Sequence, residues 1–157
     1  SVFQCLPYVE VTQDSRGCLE VSSDLLQVDH FVTNDAIELL ENRRFRLIGR
    51  IDEVINSGGI KIHPRQIERK LSQVLSAHYF IGGVADDTLG EKVILAVKHS
   101  SSLQLDKLVE KIKKCETLAS YEIPKSIIVF PDFVETDSGK IRRKQTLLLD
   151  SVSVLDL

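Results

Sequence analysis

A lysine in a polar loop near the end of the chain has the setting of a residue that could act on a ligand. Lys140 follows Gly139 in the run DSGKIR at 137–142, so its side chain should be mobile and exposed. A phosphate-binding P-loop is excluded, because the pattern GxxxxGK[ST] needs a glycine where Val134 stands and a hydroxyl where Ile141 stands. Taken alone, this glycine-lysine pair is typical of a solvated turn.

Three further polar segments could contact a ligand, although each has a simpler interpretation. Asp35 ends the run TND at 33–35, which alone predicts a turn. Arg50 and Asp52 stand two residues apart, a spacing that predicts a salt bridge in a linker. The run SGG at 57–59 lacks bulky side chains, so a narrow ligand could approach its backbone, but a hairpin turn explains it equally well.

Composition limits the classes of function. The 157 residues are 43% hydrophobic and 27% charged, as in an ordinary globular protein of one domain and a smaller piece. A net charge of -3 argues against a general nucleic-acid binder, which needs many cationic contacts to phosphate. The three cysteines and four histidines have neither disulfide-framework nor metal-ligand spacing, so no metal site is predicted.

The cellular setting follows from what the chain lacks. Neither a signal peptide nor an apolar run of membrane-spanning length is found, so we expect a soluble, cytoplasmic protein without a membrane partner. The chain contains no methionine, not even at position 1, and we therefore interpret it as a piece of a longer protein.

The elements that must position these residues fall into two parts. Residues 1–48 alternate between apolar and polar side chains at 17–23 and 44–48, which predicts β-strands, but they do not form a self-sufficient domain. The rest predicts an α+β domain, a small mixed sheet with helices packed on it. Its predicted order is a hairpin around Gly58 and Gly59, a helix opened by Pro64, strands at 79–85 and 92–98, a helix at 104–118, and a strand at 126–130.

The order of the polar segments is more specific than any one of them. Asp35, GRID at 49–52, SGGIKIHPRQIE at 57–68 and DSGKIR at 137–142 closely resemble the C-terminal blocks of the acyl-adenylating superfamily. That superfamily includes acyl- and aryl-CoA synthetases, peptide-synthetase adenylation domains and luciferases. The resemblance covers residues 17 to 145. It implies the β-rich end of an N-terminal adenylation domain at 1–48, a hinge at 49–53, a mobile C-terminal lid domain at 54–150 and a tail at 151–157.

The resemblance also implies roles for single residues. Asp35 would bind the ribose hydroxyls of the adenylate, although the block here reads Thr-Asn-Asp instead of the usual Thr-Gly-Asp. Arg50 would contact the nucleotide, and Asp52 would be the hinge about which the lid rotates. Lys140 would bridge phosphate oxygens and the substrate carboxylate while the adenylate forms.

After the lid rotates, three small residues would line the tunnel for the pantetheine thiol: Ser57, Gly58 and Gly59. The segment IHP at 62–64 resembles CoA ligases more than the peptide-synthetase branch. The stretch from Asn34 to Arg50 is similar to bacterial o-succinylbenzoate-CoA ligases of menaquinone synthesis. The resemblance thus implies ATP and CoA as co-substrates, a small carboxylic acid as substrate, and Mg²⁺ bound by the preceding N-terminal domain, which would be the partner of this chain.

Two alternatives stay open. One is the C-terminal subdomain of a peptide-synthetase adenylation domain. The other is a non-enzymatic module whose positive side chains bind a phosphorylated partner or nucleic acid in a salt-sensitive way, the candidates being Lys140, Arg142, Arg143 and Lys144. The magnesium-binding and phosphate-loop segments of the superfamily do not occur in this chain, so the fragment alone is expected to be inactive.

Overall fold

The chain forms an antiparallel sheet up to Val54 and a second, separate α+β unit from Ile55 onward, in a computed structural model that describes residues 2–157. The first sheet has five strands in the order β1-β5-β4-β3-β2. The β-rich character predicted for residues 1–48 is therefore confirmed. The strands are β1 (Val2–Gln4), β2 (Glu10–Gln13), β3 (Cys18–Ser23), β4 (Val28–Leu40) and β5 (Arg44–Arg50).

The long strand β4 contains an irregularity where a turn was predicted. Thr33–Asp35 lie opposite Leu19 alone, so the strand bulges away from β3 at this point. The hydroxyl oxygen of Thr33 accepts a hydrogen bond from the Asp35 amide at 3.0 Å, and the hydroxyl donates to the Leu19 carbonyl at 3.1 Å. The predicted turn is wrong, because Val32 and Ala36 pair with β3 and Asp35 pairs with β5, which keeps the chain in the sheet, while the Thr33 hydroxyl accepts a hydrogen bond from the bulged Asp35 amide.

The first unit buries few apolar side chains. Among the described residues before Val54, only Cys18, Ala36 and Ile37 belong to the buried apolar set. Larger apolar side chains are exposed instead, namely Val2, Phe3, Leu6, Tyr8, Leu25, Leu26, Phe31, Val32 and Leu39. A single sheet with this pattern has no second layer to form a core.

The second unit is built on a six-stranded mixed sheet. Its strands run in the order β11-β10-β9-β6-β7, and β8 also pairs with β9. β9 and β10 are parallel, and the other pairs are antiparallel. The strands are β6 (Ile55–Ser57), β7 (Ile60–Ile62), β8 (Tyr79–Asp86), β9 (Gly90–Lys98), β10 (Ser126–Phe130) and β11 (Ser153–Asp156).

Both faces of this sheet are covered. Along β9, Val93, Leu95 and Val97 join one apolar cluster, whereas Ile94 and Ala96 join a second, as the alternation of side chains in a strand requires. The first cluster includes the apolar faces of two helices, and the second packs against a loop and a short helix near the end of the chain. The helices are α1 (Pro64–Leu71), α2 (Leu105–Lys113) and α3 (Arg143–Thr146). The predicted α+β class is confirmed.

The helices agree with the sequence at their starts more than at their ends. α1 opens with Pro64 in its first turn, where the missing amide hydrogen has no intrahelical partner to lose. α2 ends at Lys113, so the prediction that it reaches residue 118 is wrong. Cys115 and Leu118 still pack against the first cluster, but they do so from successive turns. No helix within residues 2–157 combines the length and apolar character that crossing a membrane requires.

The last residues of the chain belong to the sheet. We expected a tail at 151–157, but Ser153–Asp156 form β11, which pairs antiparallel with β10. Leu155 packs partly buried against the first cluster while Val154 is exposed. The tail assignment is corrected because this short alternating run completes an edge of the sheet.

Candidate active site

Lys140 lies at the end of a tight hairpin loop. The Gly139 amide donates to the Thr136 carbonyl at 2.8 Å, and the Thr136 amide donates to the Lys140 carbonyl at 2.8 Å. Gly139 has a φ of 74°, which makes this a three-residue loop closed by a left-handed residue. The Lys140 amide also donates to the Thr136 hydroxyl oxygen at 3.0 Å. The backbone of Lys140 is therefore held from several sides.

The side chain of Lys140 is exposed, in contrast to its fixed backbone. Within residues 2–157 no carboxylate forms a salt bridge with its ammonium group. The next residue, Ile141, forms an isolated bridge with Glu135 and packs against the second apolar cluster. Lys140 thus presents a positive charge to solvent from a backbone anchored on the core.

Arg143 has a different role from its neighbours in the positive run. Its guanidinium pairs with Glu68 of α1 through contacts of 2.6 and 3.0 Å, and its side chain is only 15% exposed. No local sequence pattern indicates this pair, because 75 residues separate its members. The non-enzymatic alternative counted Arg143 among its binding residues, and the structure commits that side chain to an internal contact.

The SGG run forms a two-residue hairpin turn between β6 and β7. Gly58 and Gly59 both have positive φ, 57° and 82°, which is the geometry of a type I′ turn. The Gly58 amide donates to the Leu89 carbonyl at 2.9 Å. A Cβ atom on Gly58 would lie 3.3 Å from the Leu89 side chain, but one on Gly59 would meet nothing within 4 Å. The turn explains the glycines, and the surroundings of Gly59 are open.

Three of the predicted site residues come together in the first unit. The guanidinium of Arg50 binds both carboxylate oxygens of Asp52, at 2.9 and 2.8 Å. Arg50 also pairs across the sheet with Asp35, whose carboxylate is 4.0 Å from the guanidinium. The hydrogen bonds to Asp52 raise the pKa of Arg50 and so favour its charged form. Asp52 lies in the 3₁₀ turn Ile51–Glu53 that follows β5.

The predicted site residues therefore belong to two groups. Asp35, Arg50 and Asp52 form one group before the division that follows Val54, and Ser57–Gly59 and Lys140 lie in the second unit. Among residues 2–157, no group of three or more His, Cys, Asp or Glu side chains is placed to hold a metal ion. Cys5, Cys18 and Cys115 are free thiols.

Several known proteins similar to this chain are CoA ligases. The chain is 32% identical over 143 residues to a probable CoA ligase of Humulus lupulus, a match that covers 89% of this chain and 27% of the relative. It is 28% identical over 147 residues to an oxalate-CoA ligase of Arabidopsis thaliana, with the same coverage of 89% and 27%. No protein-family model matches the chain.

A solved structure supports the fold. The o-succinylbenzoate CoA synthetase of Bacillus subtilis, in complex with its acyl-adenylate intermediate, matches with a TM-score of 0.77 over 93% of this chain and 35% of that chain. At 19% identity, this likeness concerns the fold alone and carries no information on the acid.

The relatives make the chain similar in sequence to the C-terminal domain of the AMP-binding acyl- and aryl-CoA ligase superfamily. Three of these relatives are named as CoA ligases or as an acyl-CoA synthetase, which are acid-thiol ligases. The chain spans about a quarter of the length of the curated relatives it matches, 27% for the first two.

Proposed function

We propose that the chain is the mobile C-terminal part of an ATP-dependent carboxylate-CoA ligase and that Lys140 serves its first step. In that step a carboxylate oxygen attacks the α-phosphorus of ATP, which forms acyl-AMP and releases pyrophosphate. In the second step the CoA thiol attacks the acyl carbonyl and AMP leaves. The observation that carries the proposal is the unpaired ammonium group of Lys140 on an anchored hairpin.

A lysine in this setting suits the first step. Two anions, the carboxylate and the triphosphate, must approach each other, and their repulsion is relieved by a cation placed between them. An ammonium group is a compact charge with three donors on a flexible stem, so it can contact both anions at once. An anchored backbone limits the reorganisation that this stabilisation requires.

The group in the first unit suits a nucleotide site beside a hinge. We assign Asp35 to the ribose hydroxyls and Arg50 to the nucleotide, with Asp52 as the hinge residue. Their mutual contacts support a common site, since Arg50 pairs with both carboxylates. Asp52 also lies two residues before the division between the units, where a rotation of the lid would take place.

The second step requires access for a thiol arm. We assign Ser57, Gly58 and Gly59 to the wall of the pantetheine tunnel. The open surroundings of Gly59 support this, because a linear arm needs clearance beside the turn. Rotation of the lid about Asp52 would exchange Lys140 for this turn at the reaction centre between the two steps.

The remaining parts of the ligase lie outside the described residues. The exposed apolar side chains of the first sheet, such as Phe3, Phe31 and Leu39, support an N-terminal domain that covers them. We assign the acid pocket and the Mg²⁺ site to that domain, and we place the whole ligase in the cytoplasm, where free thiols such as Cys5 persist.

The narrower proposal for the acid is o-succinylbenzoate, and it rests on the resemblance of the stretch from Asn34 to Arg50. Thioester formation by the full-length protein should be compared across a panel that includes o-succinylbenzoate, oxalate and free amino acids. Selective turnover of o-succinylbenzoate supports the proposal. Preference for another acid overturns this substrate alone, whereas amino-acid-dependent pyrophosphate exchange without CoA thioester indicates the peptide-synthetase alternative.

The role of Lys140 is tested by separating the two steps in the full-length protein. Lys140→Ala should lower acid-dependent pyrophosphate release by a factor of about 10² to 10³, the usual cost of losing one preorganised donor. Thioester formation from supplied acyl-AMP and CoA should be retained. Lys144→Ala removes a nearby exposed lysine and should change neither rate. Equal loss of both steps in Lys140→Ala would sink the proposed role.

A further inference from the structure

We propose that Glu68 and Arg143 are positioning residues for Lys140, so that the ion pair between them affects the rate of adenylate formation. This inference rests on the proposed function, since it takes Lys140 to act in the first step. Neither residue was a candidate for a role in the ligase reaction from the sequence, where Arg143 stood only in a positive run.

The contact between the two side chains is directional. Arg143 Nη1 lies 2.6 Å from Glu68 Oε1, and Arg143 Nη2 lies 3.0 Å from Glu68 Oε2. Two parallel hydrogen bonds fix the orientation of a guanidinium as well as its distance. The side chains are 15% and 22% exposed, so water competes weakly with the pair.

The same pair is also bound to the sheet. Ile81 lies in β8, which pairs with β9 along one edge. On its other edge, the Ile81 amide donates to Glu68 Oε1 at 2.8 Å, and the Ile81 carbonyl accepts from Arg143 Nη1 at 2.9 Å. The pair therefore occupies both hydrogen-bonding groups of Ile81, as a neighbouring strand would. Arg143, the first residue of α3, therefore forms hydrogen bonds with both α1 and β8.

Apolar contacts place α3 close to the same strand. Arg143 lies over the ring of Phe80, 5.8 Å from the ring centre. Leu147, which follows α3, packs where a side chain would stand on Gly82: a Cβ atom there would lie 3.2 Å from the leucine Cδ1. The strand β8 therefore contacts the α3 segment through apolar groups at Phe80 and Gly82, and Arg143 supplies the polar contacts.

The Lys140 hairpin is attached to the domain through the buried Phe133 before it and through Ile141 and Arg143 after it. The hydrogen bonds between Thr136 and Lys140 define the shape of the loop but not its place on the domain. Arg143 stands three residues after Lys140, and only Ile141 packs on the core between them. Loss of the Glu68–Arg143 pair would remove the polar part of the second attachment and let that side of the hairpin shift. A displacement of about 1 Å at a catalytic group can cost a factor of about 10².

The test compares both half-reactions in the full-length protein. Arg143→Met and Glu68→Gln should lower acid-dependent pyrophosphate release by a factor of about 10 to 100, within the range for a misplaced catalytic group. Arg143→Lys keeps the charge without the two parallel bonds and should lower it less. Thioester formation from supplied acyl-AMP should stay unchanged in all three, because that step does not use Lys140.

A second ion pair on α1 provides the matched control. Lys70 binds the buried Glu122, whose Oε2 also accepts the Ala119 amide at 2.7 Å. Glu122→Gln weakens this pair, which holds the loop before β10 and makes no contact with the Lys140 hairpin. It should lower thermal stability and affect the two half-reactions equally.

A double variant provides a further check. The adenylation-specific loss in Arg143→Lys should disappear in a Lys140→Ala background, because no lysine is then left to position.

The outcomes are distinguishable. If Lys140→Ala lowers adenylate formation but Arg143→Lys and Glu68→Gln do not, the positioning role is overturned and the proposed function stands. Equal loss of both half-reactions in folded Arg143→Lys also overturns it. If Lys140→Ala leaves adenylate formation intact, the proposed function itself fails. Should Arg143→Met not fold, the two conservative variants decide the question.

Discussion

Arg50 binds both carboxylate oxygens of Asp52, a residue only two positions further along the chain. The contact closes the turn that follows β5, and it orients the guanidinium toward Asp35 as well. Because the side chains of Arg50 and Asp52 are 37% and 46% exposed, the pair adds little to stability. We expect its importance to lie in presenting Arg50 to the nucleotide.

Replacement of Arg50 by lysine separates charge from orientation. Arg50→Lys keeps the positive charge but cannot form two parallel bonds, so the KM for ATP in the full-length protein should rise by about tenfold, the equivalent of roughly 1.4 kcal/mol. The free energy of unfolding should fall by less than about 1 kcal/mol. Arg46→Lys, which alters another exposed arginine of β5, is the control. A comparable KM increase in Arg46→Lys would contradict the assignment.

The SGG turn allows backbone strain to be tested apart from crowding. A Cβ atom on Gly59 meets nothing, so Gly59→Ala is destabilising only through its positive φ, by about 1–2 kcal/mol. Gly59→Asn should be less destabilising, since asparagine tolerates this conformation. Chemical denaturation measures both. In the full-length protein, both variants should raise the KM for CoA and leave acid-dependent pyrophosphate release unchanged. Loss of pyrophosphate release with an unchanged KM for CoA would argue against assigning this turn to the pantetheine tunnel.

Tyr79 predicts a pH dependence of stability at alkaline pH. Burial raises the pKa of Tyr79 from 10.0 to about 12, and its hydroxyl donates to the Glu68 carbonyl at 3.1 Å. The folded state therefore favours the neutral phenol. Its contribution is fully present below the unfolded pKa of 10.0 and is lost as pH rises through the folded pKa of about 12.

Urea denaturation of Tyr79→Phe measures this contribution. The decline in the free energy of unfolding above pH 10 should be shallower in Tyr79→Phe than in the unsubstituted chain, because the titrating phenol is removed. Tyr121→Phe alters an exposed tyrosine and should leave the decline unchanged. Identical pH profiles for Tyr79→Phe and the unsubstituted chain would refute the expectation.

Local sequence patterns predicted the elements whose cause is local. The strand at 126–130 and the helix that begins at Pro64 are confirmed, because a short apolar run and a first-turn proline act within a few residues. The end of α2 was mispredicted, since apolar side chains at helical spacing stay on the core when the chain continues through turns. The bulge at Thr33–Asp35 depends on strands that are distant in sequence.

The candidate site likewise has features with a local cause, which the sequence could predict, and features that depend on distant residues. The two glycine turns, around Gly59 and Gly139, were recognisable because positive φ has a residue preference of its own. The contact between Asp35 and Arg50 needs the pairing of β4 with β5, and the contact between Glu68 and Arg143 spans 75 residues. Such contacts exist only after folding, so no spacing in the sequence could indicate them.

The occupation of Ile81 by two side chains has a consequence for the behaviour of the protein in solution. β8 would otherwise leave an unpaired amide and carbonyl at a sheet border, which a strand of another molecule could join. Glu68 and Arg143 occupy that position with charged groups. An incoming strand would have to break their hydrogen bonds to Ile81 before it could pair there. Variants that lose the pair should therefore aggregate more readily during expression, even where the domain still folds.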